Sequence, residues 1–431
     1  MSDQSLPEAS NPALTERVPE ARAKRSVLYV DMAYTLAIVQ RKGHDNFFEA
    51  RHSGGYFAKV WGVHPISDVA GSGATSIKTY EFSPNQVVIE GVSRSRSWPQ
   101  LFAPLDFFLS QSKLLKLLVR IVRKERVDLI VATCPIFSGS FGLVLKWLTG
   151  RPLAICIYAN YDDMYRNTGA LAVPRLLPSF RLQNAVARFV LRRADLIMGG
   201  TRYYLDYAIS HGADPAKGTV VPIARYVEPC HLVDPERRTS PEPVLAALGV
   251  PTHGRHMIMV SRLIPLKFAE DGVLAMIFVA RADPRAIGIV AGDGPLQPHL
   301  KVLVAEAGLT ERIRFVGHIT QVQLSRIVPH CVTISPLTGM ALVECGLGGA
   351  PAVAYDADWQ PEFVEDGVNG FITPLNDWQA MGARVAELIG NDTLRQRMSQ
   401  AMRASALARA DREAIARSEA EIFGRLLGDT P

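Results

Sequence analysis

No stretch of this sequence is apolar for long enough to cross a bilayer as a helix. The most hydrophobic run, Leu129 to Leu145, falls short of the roughly 20 residues such a span needs. Pro135, Ser138, Gly139 and Ser140 also interrupt it, so a buried strand, a loop and the start of a helix are expected there. The first residues, Met1 to Lys24, are rich in Pro, Glu, Ser and Ala and lack the apolar centre of a signal peptide. Residues 1–25 therefore read as a mobile tail. Cysteine is scarce: Cys134, Cys156, Cys230, Cys331 and Cys345 are scattered with no CxxC pair. That suits buried thiols in a reducing cytoplasm better than a disulfide frame or a zinc site. The charge is weakly one-sided, 47 basic against 42 acidic residues for a net +5 spread along the chain, and no nucleic-acid-binding signature accompanies it. A dinucleotide fingerprint is missing as well. Gly71-Ser72-Gly73 comes nearest, and no third glycine completes it, which disfavours a nicotinamide-dependent dehydrogenase.

What is present is a large globular chain. With 431 residues, 48% of them hydrophobic, it can bury more than one core, and two or three domains are expected. Strands are expected at Val27–Asp31, Phe57–Val63, Val87–Val92, Val127–Ala132, Leu153–Tyr158, Ala194–Met198 and Val220–Ile223. Together they delimit a first domain over residues 26–226. Between the first two lies a long loop, Met32 to Gly55. Lys113 to Arg126 reads as a helix with Lys113, Lys116, Arg120, Arg123 and Lys124 along one face and leucines on the other. That basic face is either simply solvated or an electrostatic dock for anionic lipid, and the arginines of Arg175 to Arg193 leave the second option open. Residues 227–255 carry five prolines and mixed charge, as a linker does.

From His256 onward strands and helices alternate cleanly. His256–Ser261, Arg285–Ala291 and Ile313–Val316 are strands; Glu270–Arg281 and Leu296–Ala307 are helices. The pattern predicts a doubly wound parallel sheet over residues 256–400, with ligands at the carboxyl ends of its strands. Arg262, Gly292, His318, Gly339 and Glu344 all fall at or just past those ends. The stretch Val332 to Tyr355 concentrates the signal: an apolar strand, a break at Pro336 to Gly339, a helix over Met340–Leu347, and a second apolar strand after Gly348-Gly349. A loop and helix N-terminus of this kind offer free N–H groups and the positive end of a dipole to a phosphate. Glu344, one turn inside the helix, is placed to accept from ribose hydroxyls.

Gly339-x-x-Leu342-Val343-Glu344, with Gly349-x-Pro351-x-Val353-Ala354 after it, resembles the donor-site core of glycosyltransferase family 4. Val260-Ser261-Arg262-Leu263 with Lys267, Ala291-Gly292-Asp293-Gly294-Pro295, and Val316-Gly317-His318 resemble three further elements of that family in the right order. The resemblance implies a GT-B fold: two Rossmann-like domains facing a cleft, with the C-terminal helix (residues 401–431) crossing back to the first domain. It implies a retaining, metal-independent transfer from a nucleotide sugar, UDP- or GDP-linked, to a hydroxyl on a glycan or lipid acceptor. No resident cofactor is implied; work at the inner face of the membrane, in polysaccharide or glycolipid synthesis, is an option.

By the same resemblance Arg262, Lys267 and Glu344 form the catalytic set, the two cations clamping the diphosphate and Glu344 binding ribose. Gly292, Gly294, His318, Thr338, Gly339, Met340, Ala341 and Leu342 are donor-binding candidates, His318 either bonding the base or packing its edge. On the acceptor or sugar side the candidates are Arg51, Gly54 and Gly55, with His52 beside them, and Asn160 and Asp162. For the first group the alternative is an ordinary surface loop; for the last two it is a helix cap. Two departures stand out. Pro336 occupies the place of the acidic residue that contacts the donor sugar in the family, and no histidine follows the strand Leu153–Tyr158. A non-catalytic sugar-nucleotide-binding partner subunit or a GT-B epimerase is the alternative. Asp356-x-Asp358 is formally a metal-type DxD, here read as coincidence.

Overall fold

The structure is a computed structural model that describes residues 25–70, 74–94 and 103–429. Gly71-Ser72-Gly73 and the expected tail up to Lys24 lie outside the described residues. Arg25, the last residue assigned to that tail, belongs to the first strand, where it bonds Asp128 and Asp429.

The first domain is built on an eight-stranded sheet. Its strands are β1 (Arg25–Val30), β2 (Phe57–His64), β3 (Lys78–Ser83), β4 (Gln86–Glu90), β5 (Leu129–Ala132), β6 (Leu153–Ile157), β7 (Leu196–Gly199) and β8 (Gly218–Val220). They lie in the order β3-β4-β2-β1-β5-β6-β7-β8, all parallel except the edge strand β3. The central strands are apolar throughout, Val27 to Val30, Leu129 to Ala132 and Leu153 to Ile157 being buried, because helices cover both faces. Strand β3 was not expected from the sequence; its side chains are largely exposed and lack a buried face.

The second domain carries a six-stranded parallel sheet in the order β11-β10-β9-β12-β13-β14. These strands are β9 (Arg255–Val260), β10 (Ala286–Ala291), β11 (Ile313–Gly317), β12 (Cys331–Ser335), β13 (Ala352–Tyr355) and β14 (Gly370–Thr373). Part of the expected linker belongs here: Val244, Leu245 and Val250 are buried with Ile258 and Ile289. Two helices follow, Trp378–Gly390 and Asp392–Arg409.

The final helix, Arg412–Leu427, returns to the first domain. Phe423 packs on Phe57 with ring centroids 5.2 Å apart, and the buried Glu419 pairs with the buried Arg225. The crossing is held by a core contact and an ion pair together. The chain therefore has the architecture of two Rossmann-like domains facing a cleft, a GT-B fold with its C-terminal helix crossing back. All five cysteines are free thiols, and no described helix is long and apolar enough to cross a membrane.

Candidate active site

The carboxyl ends of β9 to β13 form the floor of the cleft. After β9 the chain turns through Ser261 and Arg262, and a short helical turn, Pro265–Lys267, places Lys267 ahead of the helix Ala269–Ala282. The guanidinium of Arg262 is exposed and has no ion-pair partner among the described residues. Lys267 is partly buried, and that burial pushes its ammonium down to about 8, with Asp358 opposing and Arg262 assisting the shift. A lysine near its titration point beside a second cation is poised for an anion.

Gly292 and Gly294 shape this floor rather than leave room for a ligand. At Gly292, where φ is 135°, a Cβ would stand 1.9 Å from the Ser261 carbonyl oxygen. At Gly294 it would stand 2.4 Å from that of Leu263. The two glycines let the loop after β10 lie on the backbone that carries Arg262; the Leu263 N–H donates to the Asp293 carbonyl at 2.9 Å. Their contribution to the donor site is to hold Arg262 in place.

The helix Met340–Leu347 begins at Gly339 with no side-chain cap and no acidic residue in its first turn. Its leading N–H groups, from Met340 and Ala341, are open to an anion. Leu342 is fully buried and its N–H donates to the Gly339 carbonyl at 3.0 Å, so it offers a ligand nothing; Met340 packs toward the aromatic cluster of the first domain and offers backbone only. Thr338 is already engaged. Its hydroxyl meets Ser335 Oγ at 2.5 Å, and its N–H donates to Gln360 Oε1 at 3.4 Å. The Gln360 amide also donates to the Pro336 carbonyl at 3.0 Å. Pro336 itself is buried and faces Gly272, so the site has no carboxylate at that position.

Glu344 is 3% exposed, and burial pushes its carboxyl up to about 7. His44, Lys42 and Gln321 hold that value down and Glu228 pushes it further up. His318, just after the left-handed Gly317, is exposed at the cleft; burial of its ring, then Lys42, Arg41 and His44, keep it below the usual histidine range.

The candidates from the first domain fare differently. Arg51 is 1% exposed, paired with Asp31 and enclosed by Tyr29, Phe47 and Phe48. It is a core ion pair, not an open ligand group, because one guanidinium nitrogen bonds Asp31 and three rings enclose the rest, the buried Nε having no hydrogen-bond partner among the described residues. Gly54 and Gly55 turn the chain into β2 with φ of 65° and 90°, and a Cβ at Gly54 would stand 3.0 Å from Ala416 Cβ of the last helix. They serve the fold. His52 Nδ1 is likewise tied to the Phe57 carbonyl at 2.9 Å. Asn160 caps the helix Tyr161–Thr168, its Oδ1 accepting from the N–H groups of Asp162 and Asp163. Asp162 accepts from Asn184 at 3.1 Å. The cap reading describes Asn160; Asp162 stands in the first turn of the helix and faces Asn184 and His211.

Four residues of this region were not chosen from the sequence: Arg41, Lys42, Gln321 and Asp358. Met32 to Gly55 is not a plain loop: helices Leu36–Lys42 and Asn46–Glu49 occupy it, and the first carries Arg41 and Lys42 toward the second domain. Burial lowers the Lys42 ammonium, as do Arg262 and Arg41, while Glu344 opposes. Gln321, at the start of the unpredicted helix Gln321–Ile327, bonds His231 at 2.5 Å and His44 at 3.2 Å. Asp358, dismissed with the DxD pattern, has a left-handed backbone (φ 57°) and lies between Lys267 and Tyr204, burial raising its carboxyl. No group of three or more potential metal-ligating side chains is found among the described residues.

With this geometry in place, the chain can be compared with known proteins. Residues 245–405 match the family described as glycosyl transferases group 1, and residues 69–224 match the glycosyl transferase 4-like domain. Between them the two matches take in the greater part of both domains, and the chain belongs to the family 4 type of glycosyltransferases. It is 26% identical over 153 residues to an alpha-D-kanosaminyltransferase of Streptomyces kanamyceticus, covering 33% of this chain and 39% of that one. It is 24% identical over 277 residues to a D-inositol 3-phosphate glycosyltransferase of Corynebacterium glutamicum, covering 61% and 64% respectively. Each match thus spans less than two thirds of the relative's length. Among solved structures, HepE of Anabaena in complex with UDP and glucose superposes with a TM-score of 0.69 at 18% identity, covering 93% of this chain and 100% of that one. That likeness bears on the fold.

Proposed function

We propose that this protein is a retaining, metal-independent glycosyltransferase that moves a sugar from a nucleotide donor to a hydroxyl of a glycan or lipid-linked acceptor, working in the cytoplasm. One observation carries the reading: an uncapped helix N-terminus at Gly339 faces the same cleft edge as two cations, Arg262 and Lys267, and a buried carboxylate, Glu344. That set matches a nucleoside diphosphate, with phosphates on the N–H groups and cations and ribose on Glu344. The named glycosyltransferase relatives support the reaction class, and the UDP and glucose in the HepE complex support a uridine donor.

In the transfer, the bond from the anomeric carbon to the β-phosphate oxygen breaks while the acceptor oxygen bonds the same face of that carbon. The acceptor proton passes to the departing phosphate. Arg262, Lys267 and the helix N-terminus stabilise the charge that develops on that phosphate, the kind of preorganised stabilisation that dominates such steps. No resident metal is required, because these groups supply the positive charge.

Calorimetric titration with UDP, GDP and ADP tests the donor site. One of them binds the wild type in the micromolar range and Lys267→Ala loses it; no binding by any of the three would sink the reading. Slow release of free sugar from the matching nucleotide sugar separates a transferase from a binding subunit, the reading that Pro336 favours. A change of the sugar without acceptor would mark an epimerase.

A lipid-linked acceptor is supported by the outer face of the first domain. Phe108, Trp147 and Phe189 are 65%, 58% and 44% exposed on three neighbouring helices, Ala103–Lys124, Phe137–Thr149 and Phe180–Leu191. Lys116, Arg120, Arg123 and Lys124 line a groove on the first of them, and aromatic groups with basic neighbours suit an anionic membrane surface. Sedimentation with anionic but not zwitterionic vesicles is expected; equal pelleting with both, or with neither, would remove this part of the proposal.

A further inference from the structure

A cavity of about 670 Å³ opens at the amino end of the second sheet, the edge away from the donor site. It is lined by Arg255, the first residue of β9, and by His330, immediately before β12. Arg395 of the helix Asp392–Arg409 joins them, and the linker supplies Glu236, Arg238 and Glu242. Arg262 and Gly339 follow the other ends of the same two strands. The six residues of β9, at about 3.3 Å each, put roughly 20 Å between this cavity and the donor site. Its volume is that of a small-molecule site.

The linker is already fixed against the domain, so the cavity has firm walls. Arg238 donates from Nε to the Val233 carbonyl at 3.0 Å, from Nη1 to that of Ser325 at 2.7 Å and from Nη2 to that of His231 at 2.6 Å. Its guanidinium is spent on this seat. Those of Arg255 and Arg395 are not. Each gives one nitrogen to a different oxygen of Asp392, at 3.4 and 3.3 Å, which sets the two groups side by side. Arg255 Nη1 also donates to the Ile389 carbonyl. Arg255 Nε, and Nε and Nη1 of Arg395, have no hydrogen-bond partner among the described residues. Two cations sharing one carboxylate leave a positive charge over, with donors to spare. On the linker side, Glu242 accepts from Ser240 Oγ, and the Glu236 carboxylate has no partner among the described residues. Neither carboxylate pairs with Arg255 or Arg395. The cavity thus offers forked donors from the sheet side and acceptor-only groups from the linker, with space between them. Forked guanidinium groups suit a phosphate, and carboxylates suit hydroxyls.

We propose that this cavity is a second binding site, separate from the donor site, for a small phosphorylated polyol. Its phosphate meets Arg255, Arg395 and His330, and its hydroxyls meet Glu236 and Glu242. A lone phosphate leaves the acidic side unused, and an unphosphorylated sugar leaves the two arginines with a single carboxylate between them. The occupant bridges the linker and the second sheet, so it stabilises the folded chain by its binding free energy. The proposal is independent of what the donor site binds.

The test is calorimetry with glucose 6-phosphate, glucose and inorganic phosphate as probes, on the wild type, Arg395→Ala, Glu242→Ala and Lys267→Ala. Glucose 6-phosphate should bind the wild type at least about 10-fold tighter than inorganic phosphate, and glucose should bind far more weakly than either. Arg395 is half-buried on an outer helix, so Arg395→Ala removes the charge without opening the core. It should weaken glucose 6-phosphate about 10- to 100-fold through loss of a charge-assisted contact. Glu242→Ala should weaken glucose 6-phosphate several-fold and leave inorganic phosphate unchanged, and Lys267→Ala should bind both as the wild type does. No binding of glucose 6-phosphate overturns the proposal. Equal affinity for inorganic phosphate overturns it too, since that marks an adventitious ion only. Binding that survives Arg395→Ala, or that Lys267→Ala abolishes, places the probe elsewhere and also sinks the assignment.

Discussion

Near the carboxyl edge of the first sheet, several charged groups are already paired. Asp31 is taken by Arg51 and Thr133, Glu90 by the Leu36 N–H, Asp162 by Asn184, and the Arg225 guanidinium by Glu419 and two tyrosines. At the matching edge of the second sheet, Arg262 and Lys267 have no side-chain hydrogen-bond or ion-pair partner among the described residues, and the helix at Gly339 has no cap. The same topology therefore serves two ends. Paired charges hold the first domain and its returning helix together, whereas Arg262 and Lys267 in the second are free to take the ligand proposed above. Substitutions at the first edge should act on stability and those at the second on binding, and that division can be broken by experiment.

The largest effect is expected at Arg225, which is 3% exposed beside Glu419 at 1%. Arg225→Met leaves a buried carboxylate without its partner, a loss of about 3–5 kcal/mol. The double variant Arg225→Met/Glu419→Leu should recover most of it, because an apolar pair of similar volume avoids the desolvation cost. Denaturant midpoints of the three proteins measure this. A single variant as stable as the wild type would show that the pair does not anchor the last helix.

The sharpest contrast comes from Lys267→Ala. Nucleotide affinity should fall by about 1.5–3 kcal/mol through loss of a charge-assisted contact. Stability should stay level or rise slightly, since a partly dehydrated ammonium is removed. A stability loss as large as that of Arg225→Met would erase the distinction between the two edges.

This division also explains how much the sequence disclosed. The second domain was legible because its strands are uniformly apolar, its helices alternate with them, and its site residues follow strand ends within a few positions. Arg262 and Glu344 were singled out by their places at strand ends, whereas Lys267 came only from the family resemblance. In the first domain the same reasoning chose Arg51 and Asn160, since nothing local to Arg51 reveals that Asp31, twenty residues earlier, lies against it. The Met32–Gly55 segment read as a loop because Gly43, Gly54 and Gly55 punctuate it. The basic last turn and glycine at Arg41-Lys42-Gly43 were nevertheless a helix-end signal. Gln321 had no signature; its importance arises only when His44 and His231 are brought to it by the fold.

Acidity supplies a third test, in which one residue serves both stability and binding. The Glu344 carboxyl is held at about 7 in the folded chain against an ordinary 4.5. Between those values the folded state binds a proton that the unfolded state has lost, so stability falls as pH rises through the window. Glu344→Gln should be more stable than the wild type at pH 8 by roughly 3 kcal/mol and should match it at pH 4. Binding runs the other way, because ribose hydroxyls need an acceptor-only carboxylate. Wild-type affinity should rise as pH passes about 7 and fall again as Lys267 loses its proton near 8. The lower limb should flatten relative to the wild type in Glu344→Gln and the upper limb in Lys267→Ala. Identical profiles for all three proteins would remove both residues from the site.

The smallest effect is expected where the first domain meets the last helix. Gly54 has a left-handed backbone with φ of 65°, and an added Cβ would meet Ala416 Cβ at 3.0 Å. Gly54→Ala therefore combines an unfavourable backbone conformation with a contact tighter than van der Waals distance, for a loss of about 1 kcal/mol. The Ala416→Gly substitution in the same chain relieves the contact but not the backbone strain, so it should restore part of the loss. Nucleotide affinity should be unchanged in both, because Gly54 faces the returning helix and not the cleft. If Gly54→Ala instead weakened nucleotide binding at full stability, the turn before β2 would belong to the site after all, and the first sheet would have an open edge of its own.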